Sequence, residues 1–145
     1  MALILGVKWP PVMDRTPPSF EREENKIWQN FIDSYGDSYE FFHYNVRVGE
    51  DRFPDVKELD QYQKMTQDLA LKKIDAVGFR AGVWDIMEVR RHAGPGTLGQ
   101  LMTYETLWLA YSGPLKPYVL TIVTDYMDID TQLAVRARAG NVIIV

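Results

Sequence analysis

Apolar side chains recur at Phe20, Ile27, Trp28, Phe31, Ile32 and Tyr35, the spacing of one helical face, and Gly36 closes the segment. Ser19 offers an N-cap, and Glu21, Glu23 and Glu24 fall in the first turn, where carboxylates suit the positive end of the helix dipole. From Tyr39 to Val48 the period shortens to two. Phe42, Tyr44, Val46 and Val48 share one face and Phe41, His43, Asn45 and Arg47 the other, which predicts a strand ended by Gly49. Asp51 to Pro54 reads as a loop. Val56 to Leu71 reads as an amphipathic helix laid over the strands as an insertion, with Leu59, Tyr62, Met65 and Leu69 on one side.

Lys73 to Arg90 predicts a hairpin turning at Ala81-Gly82. A two-residue turn gives every cross-strand pair one common sum, so Arg80 faces Val83, Val77 faces Ile86 and Asp75 falls opposite Glu88. Arg90, two residues on, shares the face of Glu88, as do Ile86 and Trp84. Like charges directly opposed on a sheet are destabilising, so this carboxylate pair calls for a counter-ion or a shifted pKa. A linker follows, His92 to Gly96, whose Gly-Pro-Gly either lets backbone approach a phosphate or is ordinary turn chemistry, and which lacks the Gly-Lys-Ser/Thr of a Walker-type loop. Thr97 can cap the next helix, with Leu98, Leu101, Met102, Trp108 and Leu109 as its buried side and Gln100 and Tyr104 one turn apart.

Tyr118 to Thr124 is a continuous apolar, β-branched run, the pattern of a strand covered on both faces. Asp128 or Asp130 caps a short helix through about Ala139, Gly140-Asn141 stops it, and Val142 to Val145 makes a last strand. The order of elements predicts an α/β sandwich with a mixed sheet. Residues 1–18 read as a Pro-rich arm that wraps its own domain or docks on a neighbour, and residues 19–145 as one domain. The apolar ends MALILG and NVIIV are expected to be pinned in the fold or against neighbouring subunits.

Composition narrows the chemistry. With no cysteine, a disulfide framework and a thiolate metal site are both excluded, so oxygen ligands or His43 and His92 must hold any metal. His43 lacks an evident partner ligand, and a hydrogen-bonded strand histidine is the simpler reading. No apolar run approaches a membrane span, and the expectation is an intracellular protein. The net charge of -4 argues against tight autonomous nucleic-acid binding, although the hairpin register brings Lys72-Lys73 and Arg90-Arg91-His92 to one end of the strands. That end is either a small phosphate-facing patch or a solvated strand terminus.

Asp75, then Glu88-x-Arg90 on the following strand, then Gln100-x-x-x-Tyr104 on the next helix, resembles the core of the PD-(D/E)XK nucleases, in particular the RecB-like branch. The resemblance implies a three-layer sandwich with a mixed central sheet flanked by helices. It implies metal-dependent hydrolysis of DNA phosphodiesters, with Asp75, Glu88 and Arg90 as catalytic residues and Mg²⁺ or Mn²⁺ held by Asp75, Glu88 and the carbonyl of Val89. Gln100, Tyr104, Arg91 and Lys73 would meet the substrate, and the first helix can add an acid, Glu24 or its neighbours Glu21 and Glu23. The family's usual lysine is Arg90 here, and a guanidinium cannot act as a base at any working pH. The overall layout also resembles small proteins of tailed bacteriophages. That implies a second reading: a retired nuclease fold serving as a structural or adaptor protein in head completion or at the head-tail neck. It would be oligomeric, partnered by portal, neck or tail proteins, and found in the host cytoplasm or the virion.

Overall fold

The protein is described here by a computed structural model covering residues 2–13, 17, 20–112 and 117–145. Six strands form one sheet in the order β1 (Ala2–Ile4), β2 (Phe41–Gly49), β3 (Lys72–Arg80), β4 (Val83–Arg90), β5 (Tyr118–Thr124) and β6 (Gly140–Ile144). β1 to β4 are antiparallel neighbours, whereas β4, β5 and β6 run parallel, so the sheet is mixed. Helix α1 (Arg22–Tyr35) packs on one face, and α3 (Pro95–Tyr111) and α4 (Ile129–Ala137) cover the other. The α/β class with a mixed sheet is as expected, and the helices on both faces are compatible with three layers. Among the described residues no helix is long and apolar enough to cross a membrane.

The α1-side core is aromatic. Trp28, fully buried, meets Phe20, Phe42 and Tyr44 edge to face and stacks on Phe31, and its indole N–H donates to the Tyr44 hydroxyl at 2.9 Å. Such rings bury large areas, and the shared hydrogen bond removes the cost of placing two polar atoms among them. Gly78 sits beneath this cluster because a Cβ there would come within 2.8 Å of the Tyr39 ring. On the opposite face Ile86, Leu101, Trp108 and Val135 make the second core.

The hairpin register is the expected one from Arg80 opposite Val83 to Ala76 opposite Met87, and the ladder ends there, one pair short of the expected Asp75–Glu88. Several local expectations need correction. Ser19 lies outside the described residues, as does Pro18, and the residue preceding α1 in the cap position is Glu21. The first part of the Pro-rich arm lies on its own domain, one of the two expected alternatives: β1 pairs with β2, and Trp9 exchanges two backbone hydrogen bonds with Phe42. The inserted helix, α2, spans only Gln61–Ala70, because Asp60 and Gln63 form a reciprocal capping box that sets its start. Its apolar side is not buried: Tyr62, Met65 and Leu69 are exposed. Helix α3 starts earlier than expected, with Pro95 in its first turn, and Thr97 is an internal residue whose hydroxyl accepts from the Gly94 N–H. On its buried side stand Leu101 and Trp108 with Tyr104, whereas Leu109 is exposed. Asp128, not Asp130, caps α4, and Gly140 opens β6 instead of ending the helix, since a Cβ there would meet Val135 at 2.7 Å.

The most consequential difference lies in β2. Phe42 and Tyr44 pack on the α1 side, but Val46 and Val48 pack on the α3 side with Ile74, so the expected single apolar face is split. Asn45 has φ of +53°, and this left-handed residue rotates the strand without adding a residue to its register with β3. Asparagine tolerates that region better than most residues. The paired segment of β3 changes face at the same level: Ala76 belongs to the α1-side core and Ile74 to the other. Asn45→Gly is therefore expected to leave stability near that of the parent, whereas Asn45→Val should cost about 1–3 kcal/mol. Urea unfolding of both variants measures the difference.

Candidate functional site

The rotation at Asn45 falls beside Asp75, and Asp75 uses it. The paired ladder of β3 and β4 reaches Ala76–Met87, and beyond it the Val89 N–H donates to Asp75 Oδ2 at 2.8 Å. A side chain thus takes an acceptor's place next to the end of the ladder. Glu88 projects to the α3 side and is 1% exposed. Its Oε1 accepts from an Arg90 guanidinium N–H at 3.1 Å, while Oε2 has no hydrogen-bond partner among the described residues. The same Arg90 nitrogen donates to Gln100 Oε1 at 2.7 Å, and Gln100 Nε2 donates to the Tyr104 hydroxyl at 2.9 Å. Asp75, Glu88, Arg90, Gln100 and Tyr104, separated by up to 29 positions in the chain, therefore meet in one cluster.

Burial raises the pKa of both carboxyls, that of Glu88 the further because the Asp75 carboxylate adds to its desolvation. Arg90 pulls both back toward the ionised form without offsetting burial. Burial, then Glu88 and Asp75, push the Tyr104 hydroxyl upward, so it stays a donor at any physiological pH.

The three candidate acids of α1 separate by position. Glu23 pairs with Arg91 at 2.7 Å, Glu21 stands at the cap position, and Glu24 is the one close enough to push the Asp75 pKa up. Glu24 also accepts from the Glu21 N–H at 3.3 Å, which ties it to the helix start.

Beside the cluster is a cavity of about 430 Å³ lined by Leu69, Leu71, Lys72, Lys73, Gln100, Thr103 and Tyr104. Lys73 is thus near the site, together with Lys72, which precedes it on β3. Arg91 is not: it lines a different cavity with Glu23, Lys26 and Asp125, so the expected joint patch of Arg91 and Lys73 does not form. His92 is exposed and points toward Asp125 at 3.5 Å. His43, buried, engages the Val7 carbonyl through Nδ1 at 3.0 Å, and burial lowers its pKa. Thr103 escaped the sequence reading, although its position one helical turn from Gln100 was a usable signal.

A further buried acid, Asp85, lies on the other face of β4. It accepts from the Tyr39 and Thr121 hydroxyls, both at 2.6 Å, so each of its oxygens has a donor. Asp85 is satisfied, whereas Glu88 retains an orphaned oxygen beside a second carboxyl. That contrast bears on a metal. Among the described residues no group of three or more His, Cys, Asp or Glu comes together. The chain would lend two carboxyls, with the Val89 carbonyl as the third oxygen and water completing the shell, a donor set that fits Mg²⁺ or Mn²⁺. Compared with protein-family models, curated proteins and solved structures, the chain matches none.

The raised carboxyl pKa values set the direction of a pH dependence. The fold favours the protonated forms, so their stabilising contribution is complete below the ordinary carboxylate range of about 4 and is lost as pH climbs through the raised values. The melting temperature is expected to fall from mildly acidic to alkaline pH, as one coupled titration of the pair. Glu88→Gln, which cannot ionise, should flatten that fall. An unchanged profile in the variant would show that other groups carry it.

Proposed function

We propose that the protein is a metal-dependent deoxyribonuclease of the PD-(D/E)XK type. The observation that carries this reading is the meeting of Asp75, Glu88, Arg90, Gln100 and Tyr104 in one cluster, beside a cavity bearing Lys72 and Lys73. Asp75 and Glu88 would hold the cation, and Glu24 would tune Asp75 from α1. When bound, Mg²⁺ or Mn²⁺ supplies a water of lowered pKa near neutral pH for attack on phosphorus. Arg90 neutralises charge developing on the phosphoryl oxygens but takes no proton. Gln100 orients the guanidinium by accepting from it, and is itself fixed by Tyr104. Lys72 and Lys73 hold the substrate phosphates next to the cluster.

One observation favours a second reading, a nuclease fold without turnover that acts as a structural or adaptor component of a phage particle. Arg90 already provides Glu88 with a counter-charge at 3.1 Å, a task that in the first reading falls to the metal. An ion pair of this kind can hold a sheet end together without any ligand, although it engages only one of the two Glu88 oxygens.

Incubating linear and circular DNA with Mg²⁺ or Mn²⁺ separates the two. For the nuclease, cleavage is expected in the parent, absent in Glu88→Gln, and reduced by about 10–100-fold in Gln100→Ala, which loosens the orientation of Arg90. Activity that appears only in Arg90→Lys would identify a retired enzyme. Silence in every variant, together with assembly into a ring by sedimentation, supports the structural role.

A further inference from the structure

Helix α2 departs from the usual arrangement of an amphipathic helix. Its attachments to the rest of the protein are polar: Gln67 donates to Asp51 at 2.9 Å and accepts from the Arg52 N–H at 2.7 Å, and Asp68 pairs with Arg47 on β2. Its apolar side chains stay in water, Tyr62 75%, Met65 56% and Leu69 74% exposed. Spaced at i, i+3 and i+7, they make one stripe along the helix, about 10 Å from end to end. The stripe is not an isolated patch, because Leu69 at its end also lines the cavity that holds Lys72, Lys73 and Thr103. An uncharged apolar surface therefore continues into a cationic pocket, which in turn borders the Asp75–Glu88 cluster.

We propose that this combined surface binds a nucleic-acid strand with unpaired bases, phosphates on Lys72 and Lys73 and bases against Tyr62, Met65 and Leu69. The inference rests on the nuclease reading above and specifies its substrate class. A ligand that satisfies both halves of the surface must carry regularly spaced anions and flat apolar faces on one chain. A single strand does so, and aromatic or apolar platforms beside a basic groove are the usual means of holding one. A closed duplex offers its phosphates to the lysines but keeps its bases stacked inside, so the stripe would remain in water. A protein partner could cover the stripe, but that would leave unexplained why it opens into the lysine-lined cavity.

Fluorescence anisotropy with a labelled single-stranded oligonucleotide, and with the same sequence as a blunt duplex, tests the proposal. Chelator is present so that cleavage does not consume the probe. The single strand is expected to bind at least about tenfold more tightly than the duplex. Tyr62→Ala combined with Leu69→Ser should weaken single-strand binding by about tenfold and leave duplex binding unchanged. Both positions are exposed, and an unchanged melting temperature verifies that the variant is folded. Lys72→Ala with Lys73→Ala should weaken both probes alike and reduce the salt dependence by roughly two ions. Equal affinity for the two probes, or a stripe variant that binds like the parent, overturns the inference while leaving the nuclease reading in place. Binding of neither probe overturns the inference, and cleavage with Mg²⁺ or Mn²⁺ decides the nuclease reading separately.

Discussion

The hydrogen bond from the Val89 N–H to Asp75 is the constraint on which the site depends. A backbone donor near the end of a ladder must find an acceptor, and here a carboxylate provides it. Asp75 is thereby fixed beside β4, which leaves Glu88 next to it but on the α3 side. Two carboxyls brought this close and this far from water favour sharing a proton or a cation over separate ionisation. The helices complete the arrangement from both layers, α1 through the charge of Glu24 and α3 through Tyr104 and Gln100.

The same strand offers an internal comparison. Asp85 and Glu88 are both buried on β4, three residues apart and on opposite faces. Asp85 is surrounded by the aromatic core and receives a hydroxyl at each oxygen, so its interaction capacity is spent on holding Tyr39 and Thr121 to the sheet. Glu88 has one oxygen engaged and one orphaned, beside a cluster that borders a cavity with two lysines. Buried polar groups without partners are uncommon enough to need an explanation, and a proton shared with the adjacent Asp75 carboxyl is one with the right chemistry.

Arg90 stands at the centre of both readings of this cluster. As a permanent cation shared between Glu88 and Gln100, it offsets part of the cost of burying an acid, and it can stabilise charge on a phosphate. Its 42% exposed side chain reaches from that buried acid toward solvent, so it links the interior pair to the surface. The first role needs no ligand and the second does. Both use the same geometry.

Much of this was legible in the sequence because it is local. The period of 3.6 located α1, the two-residue turn fixed which residues of β3 and β4 face each other, and the i, i+4 spacing aligned Gln100 with Tyr104. Each of these follows from backbone geometry within a few residues. The five residues of the cluster were singled out by the family resemblance, which matches their order on successive elements. What only the tertiary structure decided are the choices that depend on partners remote in the chain. Glu21, Glu23 and Glu24 are equivalent by spacing, and only the approach of β3 and the position of Arg91 assign them different tasks. Arg91 and Lys73 are brought to one end of a hairpin by register, yet twist and the ion pair with Glu23 turn them to different cavities. The apolar stripe of α2 has the spacing of a core face but remains in water, because polar contacts to β2 and its following loop anchor the helix. Alternation in β2 was correct on either side of Asn45 and wrong across it, since a single positive φ reverses the face of everything beyond. Periodicity states which residues share a side, and long-range packing determines what that side meets.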